Sequence, residues 1–305
     1  MATTTMISPA FDSGRTKGFG DPFPIVEPPR ISQRTYGQDF VLTLWTADPE
    51  LARRADQAGV DRIGLDLETL GKAERQKGLA TWISPHRVEQ LPALREALTN
   101  GARLFARTNP VNAGTRDEVE TLLAHGAQVL MLPMFATARE VAHFIDCVNG
   151  RCEVVLLLEC RAAAERVEEI VKVRGINDIH VGLNDLTLSL GLPNRFAALS
   201  SPLMERISKV VRGAGIRFGF GGIGRWNDVG LPVPSDLIYA QYPRLGAKMA
   251  LISRAFLNPD PATIDLTSAI QSSRQRLDHW HTCSRHEMEM AHDLFRFKVD
   301  ACSTW

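Results

Sequence analysis

The sequence predicts a (β/α)8 TIM barrel, class α/β, with an N-terminal arm before it and a C-terminal helical extension after it. Three observations carry this. Eight short apolar runs recur between residues 40 and 254, and amphipathic stretches separate them. Glycines stand where the helical stretches give way to the next apolar run. Strictly alternating strands and helices favour a closed parallel barrel over an open doubly wound sheet. No linker divides residues 40–257 into half-domains.

Residues 1–38 form the arm. They are rich in Ser, Thr, Gly and Pro, including Asp21-Pro22-Phe23-Pro24 and Pro28-Pro29, so little regular structure is expected. Packing across the barrel floor and packing on a neighbouring subunit both stay open. The barrel occupies 39–260. Its strands are expected at Phe40–Trp45, Arg62–Glu68, Arg103–Asn109, Val129–Met134, Glu153–Glu159, Asp178–Leu183, Arg217–Gly222 and Lys248–Arg254. Helices are expected at Pro49–Ala58, Pro85–Leu98, Arg116–Ala124, Ala138–Cys147, Ala162–Val173 and Pro202–Arg212, with stop glycines at 59, 101, 126, 150, 175 and 213. The extension, 261–305, holds a helical stretch Thr263–Val299 in which Ile270, Leu277, His281, Met288, His292 and Phe295 recur at loose helical spacing. It exceeds what an eighth barrel helix needs, and covering another subunit of a homo-oligomer is its expected role.

Composition excludes some functions. The 305 residues carry 35 Lys and Arg against 35 Asp and Glu, with no basic run, which argues against nucleic-acid binding. No apolar run approaches the roughly 18 residues that cross a bilayer, so no membrane role is expected. The first fifteen residues have no secretory pattern. Five cysteines without paired spacing suggest reduced thiols and a cytoplasmic location.

In such a barrel the chemistry sits at the C-terminal ends of the strands. Side-chain alternation on the second strand puts Ile63, Leu65 and Leu67 on the helix side, and Gly64, Asp66 and Glu68 toward the barrel mouth. On the third, Phe105, Arg107 and Asn109 share the inward face, and the Arg107 fork suits either a substrate carboxylate or Asp66 and Glu68. The fifth strand is apolar on both faces until Glu159 closes it. The sixth runs into Asn184-Asp185-Leu186-Thr187, so Glu159 and Asp185 end neighbouring strands and suit one hard cation such as Mg2+ or Mn2+. Asp185 reads equally as a helix N-cap for Leu186–Leu190.

These segments resemble the HpcH/HpaI aldolase/citrate lyase family. Val181–Gly191 is similar to its G-x-x-D-L-s-x-s-l-G segment, Leu158-Glu159-Cys160 to its I-E-T, and Val129–Met134 with Thr137 to its vmlPMv-T. Leu65–Glu68 resembles the fDLED of the citrate lyase β-subunit branch, and Arg107-Thr108-Asn109 its R-x-N. The likeness runs in order over about residues 40–257. It implies a metal-dependent carbon–carbon lyase or aldolase acting on a pyruvate- or oxaloacetate-like 2-oxo acid through a metal-stabilised enolate, with an aldehyde or acyl-CoA as the other partner. It implies Glu159 and Asp185 as ligands of Mg2+, with Mn2+ and Co2+ as alternatives, and Arg107 on the oxo acid or the developing enolate charge. Backbone N–H groups of Gly182, Leu183 and Asn184 into Asp185 would hold the substrate carboxylate.

The chain departs from the family pattern at Thr69, where the aldolase branch has a histidine base and the lyase branch an aspartate, and more mildly at Cys160. Asp66, Glu68 or a metal-bound water remain as general base. Two other readings stand beside the first: an acyl-CoA lyase or thioesterase, which releases free thiol, and a regulatory barrel that binds without turnover. Weaker signals receive plainer readings. His180 is expected in the core, and His279, His281, Cys283 and His286 as part of an exposed helical tail. Phe220–Gly224 is expected to let backbone approach the substrate, and Trp45 to line either the pocket or the core.

Overall fold

The computed structural model divides into two units, Met1–Gln33 and Arg34–Trp305. It describes residues 1, 34–72, 84–228, 230–258 and 260–302. The expected arm therefore lies outside the described residues up to position 33, as does the question of where it packs.

The second unit is a parallel barrel. Its strands are β1 Val41–Trp45, β2 Arg62–Asp66, β3 Arg103–Arg107, β4 Val129–Leu132, β5 Glu153–Leu158, β6 Asp178–Val181, β7 Arg217–Phe220, β8 Gly222–Ile223 and β9 Met249–Ile252. Each of β1 to β6 pairs in parallel with the next, and β9 pairs with both β1 and β8. The expected seventh strand is in fact two. Gly221 takes φ +54° and breaks it, so that β7 serves β6 while β8 turns to β9. Together they fill one barrel position, and the Lys248 N–H donating to Phe218 O (2.8 Å) draws the ring shut.

The barrel interior follows from strand alternation. At its floor, buried Arg62 bridges Glu153 (3.0 Å) and Asp178 (2.5 Å), and Arg217 reaches Asp178 at 2.9 Å. Above this ionic layer, Phe105, Val129, Met131, Val155, Leu157 and Met249 form a compact apolar plug. The next inward positions along β2, β3 and β5 are Asp66, Arg107 and Glu159. The barrel interior is thus polar at its floor and at its mouth, with the apolar plug between them.

The first described helices are α1 Tyr36–Asp39, α2 Pro49–Gln57, α3 Leu91–Ala97, α4 Thr115–Ala124 and α5 Ala138–Val148. They are followed by α6 Arg161–Glu165, α7 Val167–Ile170, α8 Leu183–Leu190, α9 Pro202–Gly213 and α10 Ser235–Leu245. Three expectations are corrected. The stretch Pro85–Leu98 opens with a 3-10 turn, Val88–Gln90, because Pro92 has no N–H to bond back to Val88. Ala162–Val173 breaks at Arg166 (φ −104°, ψ 18°) into α6 and α7. Gly213 stays helical, and the left-handed residue after α9 is Gly215 (φ +75°).

The tail is two helices, α11 Leu266–Thr282 and α12 Arg285–Ala301. Ser284 starts the second with a capping box: its N–H donates to Glu287 Oε2 (2.8 Å) and its hydroxyl accepts from the Glu287 N–H (3.2 Å). Helix α11 clasps α1, with Asp278 accepting from the Gly37 N–H (2.6 Å) and from Thr35 Oγ1 (2.8 Å). Arg274 donates to the Gly37, Phe40 and Gly59 carbonyls and to Asp61. His281 stacks on Tyr36 at 4.4 Å. No described helix is long and apolar enough to cross a membrane.

Candidate active site

Parallel strands all end at the same face, so β2, β3, β5 and β6 deliver their last residues to one mouth. Arg107, ending β3, forks onto Asp66 of β2: Nε donates to Oδ1 (2.7 Å) and Nη2 to Oδ2 (2.6 Å). Its Nη1 lies 3.5 Å from Glu68 Oε2. Lys72, itself buried, donates to Asp66 Oδ2 at 2.6 Å and lies 3.8 Å from Glu68. Among the described residues, two carboxylates thus meet two cations. Burial alone would raise the Asp66 carboxyl, but Arg107 and Lys72 outweigh it and hold it well below the usual range.

Glu159, just beyond β5, is different. It is 3% exposed, and its described hydrogen-bond donor is the Met134 N–H, 3.2 Å from Oε1. That donor sits in a left-handed conformation (φ +52°) just after Pro133, which ends β4 short of the expected Met134. Burial pushes the Glu159 carboxyl up to about 8; Arg107 opposes the rise, and Asp185 and Glu68 add to it. Gly182, after β6, leaves the room Glu159 occupies. A Cβ there would stand 2.8 Å from Glu159 Oε2 and 3.0 Å from its Cβ.

Gly182 is also the N-cap of α8 and supplies no side-chain cap. The helix begins at Leu183, so Asp185 falls in its first turn and is not the N-cap. Asp185 is half-buried and Asn184 exposed. The helix N-terminus favours negative charge at this point.

All of this opens into one cavity of about 1270 Å³. Trp45, Arg107, Glu159, Gly182, Leu183, Asn184 and Asp185 line it, while Asp66 and Glu68 stand behind Arg107. Residues 40–218 match the HpcH/HpaI aldolase/citrate lyase family. The chain belongs to that family. Its relatives include a 4-hydroxy-4-methyl-2-oxoglutarate aldolase of Chaetomium globosum, 26% identical over 58% of this chain and 72% of that protein. A 2-keto-3-deoxy-L-rhamnonate aldolase of Shigella sonnei is 26% identical over 35% of this chain and 52%, about half, of that protein. Among solved structures, a family member from Burkholderia cenocepacia superposes with TM-score 0.57 at 17% identity, over 79% of this chain and 95% of its own. The citrate lyase β subunit of M. tuberculosis, complexed with oxaloacetate and magnesium, gives 0.54 at 19% identity, over 79% of this chain and 98% of its own. At these identities the likeness shows the fold.

Within this HpcH/HpaI-family barrel, Trp45 lies on the cavity wall, stacked on Phe105 (4.7 Å) with the Arg107 guanidinium 5.8 Å from its ring. Asn109 leaves the inward face. Its Oδ1 accepts from the Thr69 and Leu70 N–H groups (both 2.9 Å), and its Nδ2 donates to Glu118 (2.9 Å). Thr69 is held in that contact. Sequence reasoning missed Lys72 and His86, whose Nδ1 accepts from the Asp66 N–H (3.0 Å). The four-residue spacing of Glu68 and Lys72 was the available signal; nothing near His86 gave one. Among the described residues no group of three or more His, Cys, Asp and Glu is arranged to hold a metal.

His180 is buried, lines the cavity wall and lies 3.1 Å from Gly221 O through Nε2. Burial lowers it to about 4. Between pH 6.5 and 4 the unfolded chain binds this proton and the folded one does not, so stability should fall as pH drops through that window. The full shift corresponds to about 3 kcal/mol. Urea unfolding at pH 7.5, 5.5 and 4.5 should show His180→Asn with a shallower pH slope than the parent. Identical slopes would rule out this burial.

Proposed function

We propose that this barrel is a divalent-metal-dependent carbon–carbon lyase acting on a pyruvate- or oxaloacetate-like 2-oxo acid. One observation carries the reading: Glu159 is a buried carboxylate that, among the described residues, has no ion pair, while Arg107 and Lys72 pair with Asp66 and Glu68. Without a cation such a group takes a proton, as its rise to about 8 reflects, and a divalent ion would hold it ionised. Asp185, which no described residue bonds through its side chain, faces the same cavity. Two carboxylate oxygens with room for water and substrate fit Mg2+, Mn2+ or Co2+, and Glu159 and Asp185 would hold it. When bound, the cation supplies Lewis acidity beside the 2-oxo group.

The chain's own residues do the rest. The N–H groups at the start of α8 receive the substrate carboxylate. Arg107, fixed by Asp66 and Glu68, keeps its guanidinium beside the carbon skeleton as enolate charge develops. Asp66 anchors it. It already accepts from Arg107, Lys72, Ser84 and the Glu68 N–H, which leaves no free lone pair for a substrate proton. Thr69 is tied to Asn109 and His180 is depressed to about 4, so the proton exchanges with cavity water. Trp45 and Leu157 close the inner end.

The test is cleavage of 4-hydroxy-2-oxo acids, followed as released pyruvate, with Mg2+, Mn2+ or Co2+ against EDTA. Activity should need the metal, and Glu159→Gln or Asp185→Asn should lower kcat by about a thousandfold. Undiminished turnover in EDTA sinks the proposal. Free thiol released from an acyl-CoA with its carbon–carbon bond intact moves it to thioester hydrolysis.

A further inference from the structure

Ser235 carries a hydroxyl that the fold leaves without a partner. The residue is 1% exposed and lines the active-site cavity, and its Oγ has no hydrogen bond among the described residues. A buried hydroxyl in that state keeps its full desolvation cost. Tyr242 and Arg244 also hold an unpartnered buried polar atom, but neither lines the cavity. The space beside Ser235 is kept open by a glycine. Ser235 opens α10 and faces Gly224, just beyond β8. A Cβ on Gly224 would stand 2.9 Å from Ser235 Oγ and 4.0 Å from Ser253 Oγ, so its absence leaves a gap bordered by both hydroxyls. Gly224 does not take a left-handed φ, and backbone strain does not demand glycine there.

Ser253 also lines the cavity. It is the N-cap of the 3-10 turn Arg254–Leu257, yet its hydroxyl makes no cap bond. Both serines sit on a fixed mount. The Tyr239 hydroxyl donates to Gly224 O (2.9 Å) and lies 2.9 Å from Ser273 Oγ on α11. Asp236, next to Ser235, accepts a fork from Arg276 (2.5 and 2.6 Å) and the Trp280 Nε1–H (2.9 Å). The Ser253 N–H donates to Ile223 O (3.0 Å). Groups held this way lose little freedom when a ligand arrives. Their place in the ring gives the ligand its direction. Glu159 and Asp185 follow β5 and β6, Gly224 follows β8 and Ser253 follows β9, so acids and hydroxyls take consecutive seats around the mouth.

We propose that Ser235 and Ser253, across the gap kept by Gly224, form a subsite for an uncharged hydroxyl on the chain that continues from the 2-oxo acid. The proposal rests on Glu159 and Asp185 holding the oxo-acid end. A serine hydroxyl both donates and accepts, and so does the group it would receive. Neither serine brings charge, so the subsite selects a hydroxyl over a hydrogen. Ser235 is thereby a specificity-determining residue, and α11 becomes the support that keeps it in place.

Two measurements on the full-length chain test it, and neither needs turnover. In the first, protein holding Mg2+ is titrated calorimetrically with uncleavable stand-ins for an extended 2-oxo acid. N-(2-hydroxyethyl)oxamate is set against N-ethyloxamate, and N-(3-hydroxypropyl)oxamate against N-propyloxamate. At least one hydroxylated member should bind about tenfold more tightly than its partner. Ser235→Ala should remove that preference, and so should Gly224→Ala, whose methyl group fills the gap. In the second, the Tm of unliganded Ser235→Ala should rise by about 2 °C, because an unpartnered buried hydroxyl is deleted. A fall in Tm would reveal a structural partner and overturn the subsite. A preference that survives in either variant, or is absent from the parent while the oxamates bind, overturns it too. No oxamate binding at all removes the oxo-acid site and the subsite with it. Preference lost in the variants stands even where no 4-hydroxy-2-oxo acid is cleaved, and then only the lyase reading fails.

Discussion

Arg107→Met should cost the protein about 3–5 kcal/mol of stability and lower turnover by about two to three orders of magnitude. The stability loss comes from the carboxylates behind it. Asp66 and Glu68 are 5% and 3% exposed, and the guanidinium is one of the two described cations beside them, Lys72 being the other. A buried charge that loses its partner keeps its desolvation cost and forfeits the compensation. Turnover falls for a separate reason, because Arg107 is the cation lining the inner end of the cavity. Arg107→Lys separates the two effects. One ammonium restores charge yet cannot donate to both Asp66 oxygens in parallel, so stability should recover in part while kcat stays low. Urea unfolding alongside steady-state kinetics measures both. A methionine variant within about 1 kcal/mol of the parent contradicts the buried cluster.

Gly182→Ala should weaken Mn2+ binding by about 10- to 100-fold. Backbone strain plays no part, since Gly182 has φ −79°, open to any residue. The new methyl group would meet Glu159 Oε2 at 2.8 Å and Leu157 Cδ1 at 3.3 Å, and it must push the carboxylate out of place. Shortening the acid in Gly182→Ala/Glu159→Asp should recover part of the affinity, which a general loss of folding would not allow. Calorimetric titration with Mn2+ measures each. Parent-like affinity in the alanine variant would mean that Glu159 does not bind metal from this position.

The barrel was legible because alternation and helix-stop glycines are local signals. Asp66, Arg107 and Glu159 all take the inward face that strand parity assigns them. Where reading failed, a non-local or backbone cause can be named. Gly221 divides a strand in two because the ring must be handed from β6 to β9, and no residue pattern within Arg217–Gly222 encodes that exchange. The break at Ser284 was written in the sequence as Ser284-x-x-Glu287, but the loose apolar spacing across it suggested one helix. Asn109 shares parity with Arg107, yet β3 ends before it and its amide is drawn to the Thr69 and Leu70 N–H groups. Lys298 sits more than a hundred residues from Glu159 or Asp185, and only the folded extension places it on their cavity wall.

The clasp between α1 and α11 bears on how the ring is assembled. The pairings from β1 to β7 join consecutive strands and can form as the chain lengthens. The last pairing, β1 with β9, joins residues some two hundred positions apart, and the Asp278 and Arg274 contacts with α1 lie across the same joint. The loop entropy of closing the circle is met only when both ends are present. Such a barrel behaves as a hoop with a buckle: cooperative around its circumference, and first to open where beginning and end are fastened together.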